Sequence, residues 1–197
     1  HYIMKNSLIA LILTLFTLIS TSIFAQSFVV LPDGLRDALN TEKSYLVLDA
    51  ENLDANQLYK NGLKYIANNY GNPDEVIVGQ IEGESLTFKT YIKDFITFKN
   101  SGVKVPISAR FTTKLDFKEG KVKYEIIKLR MPSCCHAPMM EDYTVLFSGG
   151  MMAGYIVYKK NGSLFKPQTK TDIENVFNGI VAELSAALKG ESKEDDW

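Results

Sequence analysis

One stretch limits the fold more than any other. Between Val103 and Phe117, Val103, Val105, Ile107, Ala109, Phe111, Thr113, Leu115 and Phe117 fall on one phase, and Lys104, Ser108, Arg110, Lys114 and Asp116 fall on the other. Side chains along a strand point to opposite faces in turn, so this alternation describes a long strand with one dry and one wet face. A sheet of that kind is antiparallel and needs an apolar layer against its dry side. Pro106 has no N–H to give to a ladder, which places its part of the strand at an edge or a bend.

The flanks extend the sheet. Lys118-Glu119-Gly120-Lys121 reads as a hairpin turn. Val122, Tyr124 and Ile126 then alternate on one phase, and Ile127, Leu129 and Met131 on the other. That one-residue switch predicts a β-bulge near Ile126-Ile127. Upstream, Leu86, Phe88 and Ile92 alternate with polar residues, and Ile96 and Phe98 begin a further strand that Asn100-Ser101-Gly102 ends. Val76-Ile77-Val78 is a compact apolar run punctuated by Gly79 and Gly83, and Ser44 to Asp49 reads as a short buried strand.

Two amphipathic helices supply the cover. In the first, Leu58, Tyr59, Leu63, Ile66, Ala67 and Tyr70 recur at helical spacing. Asn52 or Asp54 caps its start, Gly71 is its left-handed stop, and Pro73 prevents continuation. In the second, Thr171-Asp172-Ile173-Glu174 reads as a capping box. Ile173, Val176, Phe177, Ile180, Val181, Leu184, Ala187 and Leu188 form its stripe, and Gly190 ends it. The result is an α+β two-layer sandwich, an antiparallel sheet with two helices packed on one face, in one domain over 44–190.

Outside that frame, residues 26–43 form a lead-in. It has a turn at Leu31-Pro32-Asp33-Gly34 and a single helical turn at Leu35 to Leu39. Residues 131–152 are irregular and rich in Met, with short strands expected in or beside this stretch at Tyr143 to Phe147 and Tyr155 to Tyr158. Asn161-Gly162 is a tight-turn signal, and with Ser163 it matches a glycosylation acceptor that the turn alone explains. The acidic tail at 191–197 is expected to be disordered.

The N-terminus reads as an export signal over 4–25. Met4-Lys5-Asn6 is short and basic, Leu8 to Ile19 is apolar, and Ser20 to Ala25 leads to a cut before Gln26. The apolar run is shorter than the roughly 20 residues of a spanning helix, which favours cleavage over a retained anchor. His1 to Ile3 precede the expected start and are set aside. No Cys follows the apolar run, so no lipid-modified N-terminus is expected. The expected location is therefore periplasmic or secreted, with no integral membrane segment after cleavage.

Charge and residue counts narrow the chemistry. Removing Lys5 with the leader leaves 21 basic against 23 acidic side chains, a formal charge of −2. The lysines are spread along the sequence with no dense block, which argues against nucleic acid. His136 is the one histidine after the leader, so histidine-dependent catalysis has a single candidate. Asp49, Glu51 and Asp54 sit at a strand-to-helix junction, where carboxylates cap and solvate. Gly149-Gly150 lacks the context of a phosphate loop.

Cys134, Cys135 and His136, followed by Met139 and Met140, form the one chemically suggestive cluster. Thiolate, imidazole and thioether suit monovalent copper. Adjacent cysteines also allow a strained vicinal disulfide that acts as a redox switch. An incidental surface loop, with Met filling core gaps, is the plainer account.

Ser44 to Asp49, Asp54 to Ile66, Gly79-Gln80-Ile81-Glu82-Gly83, Phe111 to Phe117 and Val122 to Leu129 carry a resemblance. They resemble a family of exported bacterial domains of unknown function with a TATA-binding-protein-like fold, over roughly Lys43 to Arg130. The resemblance implies a strand, helix, several strands, helix order, and supplies no catalytic residue or cofactor. Its fold name carries no DNA-binding function, because fold alone does not fix function. The expected role is a non-catalytic exported module without a cofactor. It would present its polar sheet face, or an open edge, to a protein or cell-envelope component. The competing expectation is copper binding or thiol redox at the Cys134-Cys135-His136 loop.

Overall fold

The computed structural model describes residues 26–100, 102–131, 157–159 and 161–191. The expected export signal, residues 132–156 with the Cys and Met cluster, and the tail beyond Glu191 lie outside them. Strands β1 (Phe28–Leu31) and β2 (Gly34–Asp37) form a hairpin. Strands β3 (Tyr45–Asp49), β4 (Ile77–Ile81), β5 (Ser85–Asn100), β6 (Val103–Lys118) and β7 (Lys121–Arg130) form a five-stranded antiparallel sheet in the order β3-β7-β6-β5-β4. Helices α1 (Ala55–Asn69) and α3 (Pro167–Leu188) pack on one face of that sheet and on each other, and α2 (Pro73–Val76) is one turn. This is the expected α+β arrangement.

The alternation in β6 does what its period dictates. Ile107, Ala109, Phe111, Thr113, Leu115 and Phe117 are buried, while Lys104 and Arg110 are exposed. Ser108 departs from the pattern. It is buried, and its hydroxyl accepts from the Tyr91 hydroxyl and the Asp94 N–H, both at 3.3 Å. The cause is an irregularity in β5, whose register shifts between Ile92 and Ile96 with Asp94 at a φ of 51°. A single bulged strand therefore replaces the two expected over this stretch, because pairing with β6 resumes at Ile96↔Ile107. Pro106 fits its edge reading: β7 pairs with β6 only as far as Arg110↔Arg130. The bulge in β7 is also as expected, since Thr112 pairs with Lys128 and Thr113 with Ile126, leaving Ile127 as the extra residue.

Helix α1 starts at a capping box. The Asp54 carboxylate accepts from Gln57 N at 2.8 Å, and Asp54 N donates to Gln57 Oε1 at 2.9 Å. Asn52 does not cap and takes a left-handed φ of 69°. Leu58, Tyr59, Gly62, Tyr65 and Ile66 are buried, whereas Ala67 is exposed. The stripe turns toward Gly62 because the helix lies close on the sheet: a Cβ there would sit 3.1 Å from the Phe117 ring. Gly71 is not a left-handed stop. The helix ends at Tyr70 in an extended conformation, and Pro73 then opens α2.

In α3, Ile173, Phe177, Val181, Leu184 and Leu188 are buried. The Phe177 ring lies 5.2 Å from Phe95 and 5.4 Å from Phe111, centroid to centroid. Thr171 does not cap this helix. The helix begins earlier, at Pro167, whose fixed φ and missing N–H suit a first helical position. Thr171 donates to the Pro167 carbonyl from inside the helix. Gly190, at a φ of 78°, ends it: Gly190 N donates to Ala187 O and Glu191 N to Ala186 O, the paired bonds of a Schellman motif.

The lead-in holds the other correction. Leu35 to Leu39 is not a helical turn, because Leu35 and Asp37 are the buried phase of β2, folded onto β1 around Pro32-Asp33. The backbone groups of β1 that face away from β2 are bonded by side chains. Asn178 accepts from Phe28 N at 2.7 Å and donates to Phe28 O at 3.1 Å. Glu174 accepts from Val30 N at 2.8 Å, and the Tyr158 hydroxyl donates to Val30 O at 2.7 Å. Unbonded strand edges invite pairing with other chains, and this one is occupied. Strand β4 differs, with Val78 and Ile81 exposed on an outer strand. The Asn161-Gly162 turn forms as expected, with Gly162 at a φ of 80°.

Candidate functional site

Cys134, Cys135, His136, Met139 and Met140 lie outside the described residues. Asp54 serves as the cap of α1. Among the described residues, no group of three or more His, Cys, Asp or Glu side chains is placed to hold a metal ion. No described helix is long and apolar enough to cross a membrane. What the fold does assemble is a set of rows on the sheet face opposite the helices.

The ladder registers define these rows. Tyr91, Arg110 and Arg130 stand opposite one another across β5, β6 and β7, and Lys89, Thr112 and Lys128 form the next row. Beyond the β7 bulge come Thr87, Lys114, Glu125 and Tyr45, then Ser85, Asp116, Lys123 and Val47. In those last two rows, charges of opposite sign meet. Lys114 pairs with Asp116 at 3.0 Å and Lys123 with Glu125 at 2.8 Å. The Lys123 ammonium also lies 4.6 Å from the Tyr45 ring centroid. Its hydrogen bond to Glu125, above all, holds its pKa above the ordinary lysine value.

The first two rows are different. Lys89, Arg110, Lys128 and Arg130 are all exposed and all cationic. Among the described residues, no carboxylate pairs with Lys89, Arg110 or Lys128. The Arg110 guanidinium lies over the Tyr91 ring at 5.3 Å, and Tyr91 is 56% exposed. A depression of about 470 Å³ is bounded by Lys89, Tyr91, Arg110, Thr112, Lys128 and Arg130 of this face and also reaches Val76, Thr90 and Phe111. Tyr70, whose hydroxyl is 2.5 Å from that of Thr90, also borders it. Burial raises the Tyr70 pKa, and the Thr90 hydrogen bond offsets part of the rise. The depression has the volume of a small-molecule site, and its charged groups can hold an anion.

The sequence shows these four cations as scattered, because they lie on three strands. Antiparallel pairing collects them. The Lys118 to Lys121 turn and the outward phase of β6 foretell Arg110 near the end of β7. The added residue at Ile127 then sets Arg130, not its neighbour, opposite it.

No protein-family profile matches the sequence, and no curated protein matches it. Among solved structures, the chain is similar to a crystal structure of a DUF4468 family protein from Bacteroides ovatus. The two are 15% identical with a TM-score of 0.48, and the match covers 76% of this chain and 88% of that one. At that distance the likeness assigns no role to any residue of the polar face.

Proposed function

We propose that the protein is a non-catalytic exported binding module that works through the basic end of its polar sheet face. One observation carries this: three exposed cations in adjacent rows, Lys89, Arg110 and Lys128, have no carboxylate partner among the described residues, while the next rows on the same strands are ion-paired. Uncompensated charge on a rigid sheet is a positioned feature, since the backbone ladder fixes where each side chain starts. The leader pattern at 4–25 supports export to the periplasm or beyond. The single sheet under two helices is consistent with a TATA-binding-protein-like architecture, taken as shape alone.

Affinity capture from envelope extract tests the proposal. The bait is the protein purified from its full chain, beside Lys89→Gln/Lys128→Gln and, as a control, Lys123→Gln. Capture of a component that depends on Lys89 and Lys128 but not on Lys123 is expected. Purified protein that turns over a substrate without a partner overturns the proposal. The competing chemistry, copper or thiol redox at Cys134, Cys135 and His136, is separated by titration with monovalent copper and by counting free thiols before and after reduction.

A further inference from the structure

We infer that the depression between β5, β6 and β7 takes a phosphoryl-bearing small molecule. This rests on the binding-face proposal above and names the ligand class for it. The donors come first. Arg110 is stacked on Tyr91, which positions its planar fork, and such a fork bonds phosphate oxygens in pairs. Lys89 and Lys128 stand on either side of Thr112. Neighbouring strands lie about 4.8 Å apart, so the two lysine stems rise about 10 Å from one another, with a hydroxyl between them.

The charge count points the same way. Lys89, Arg110 and Lys128 bring three positive charges into adjacent rows, with no carboxylate partner among the described residues. A phosphoryl group near neutral pH carries close to two negative charges and three strong acceptor oxygens. A single carboxylate has two oxygens and one charge, and leaves much of this donor set unmatched. The size also fits: about 470 Å³ suits a small ligand, and among the described residues that bound the depression none is acidic.

Pyrophosphate is the probe, titrated calorimetrically into the protein purified from its full chain. Citrate, phosphatidylglycerol vesicles and an oligoglutamate peptide are the comparison arms. Saturable one-site binding is expected, about tenfold weaker in Arg110→Gln and in Lys89→Gln/Lys128→Gln, and unchanged in Lys123→Gln, as befits loss of charge-assisted hydrogen bonds. Citrate, which matches the charge but spreads it over three separate planar carboxylates, is expected to bind at least about tenfold more weakly than pyrophosphate with its compact oxygens. Equal binding of citrate, indifference to the substitutions, or binding of vesicles or peptide in place of pyrophosphate overturns the inference. If pyrophosphate fails while Lys89→Gln/Lys128→Gln still abolishes envelope capture, the ligand class is wrong and the binding face stands. If the substitutions affect neither, both fall. Circular dichroism of each variant separates lost binding from lost fold.

Discussion

The two ends of the polar face share β5, β6 and β7, yet their charges are arranged by opposite rules. Toward the β6–β7 turn, Lys123 stands across from Asp116 and Lys114 across from Glu125. Past the bulge at Ile127, Arg110 faces Arg130 and Lys128 is in the row of Lys89. Opposite-charge neighbours support a sheet, so the first end serves the fold, whereas Lys89, Arg110 and Lys128 have no such carboxylate support among the described residues. Functional sites are where such local rules are expected to be broken. The lesson is positional: one extra residue in β7 separates an ion-paired surface from the surface proposed to bind.

The strongest way to break the comparison is from beneath. Phe177 is fully buried against Phe95 and Phe111 on the dry side of the basic end. Phe177→Ala is expected to cost about 3–5 kcal/mol, the usual range for emptying an aromatic site. Urea unfolding followed by resonances from both ends should show one shared transition. Loss confined to the basic end would mean that the two ends are held separately.

A smaller effect lies under the paired end. Tyr124 is 1% exposed, and among the described residues its hydroxyl makes no well-formed hydrogen bond, the Thr113 hydroxyl beside it being only a weak partner. An unbonded buried hydroxyl costs about 1–3 kcal/mol, so Tyr124→Phe is expected to stabilise the protein by about 1 kcal/mol, read as a higher urea midpoint. Burial, tempered by the neighbouring Thr113 hydroxyl, holds the Tyr124 pKa above its ordinary value. The folded state then keeps a proton that the unfolded chain releases. Its contribution is whole below the ordinary tyrosine value of about 10 and is lost as pH rises beyond it. Tyr124→Phe should flatten that alkaline decline, and an unchanged profile would remove Tyr124 as its source.

The smallest effects sharpen the contrast directly. Glu125→Gln, which breaks a partly exposed pair with Lys123, is expected to cost about 0.2–1 kcal/mol. Lys128→Gln, which relieves like charge, is expected to be neutral or slightly stabilising, within about 0.5 kcal/mol. Thermal melts at low salt check both. A clear destabilisation by Lys128→Gln would show that the basic end also supports the fold.

The framework was legible because it rests on periods. The alternation in β6, the phase switch at Ile126-Ile127, the Asp54 cap and the Gly190 stop each depend on a few neighbouring residues, and each forms. Local signals failed where strand pairing or a stronger neighbouring signal overrode them. Leu35 to Leu39 looks helical until β1 pairs with it, and Thr171 looks like a cap until Pro167 starts the helix first. The candidate site was illegible for the same reason. Lys89, Arg110 and Lys128 are neighbours only through ladder register, which no single window of sequence contains. The Cys134 to Met140 cluster was conspicuous in sequence, and it lies outside the described residues.

The clasp on β1 has a consequence in time. Phe28 is bonded to Asn178 across 150 positions, and Val30 to Glu174 across 144. A chain delivered from its N-terminus therefore cannot finish its first strand until nearly all the rest has arrived. Closing so wide a loop comes at an entropic cost that only the assembled core can repay. The outer edge of β1 is thus expected to be sealed only after α3 has formed, even though its pairing with β2 is local.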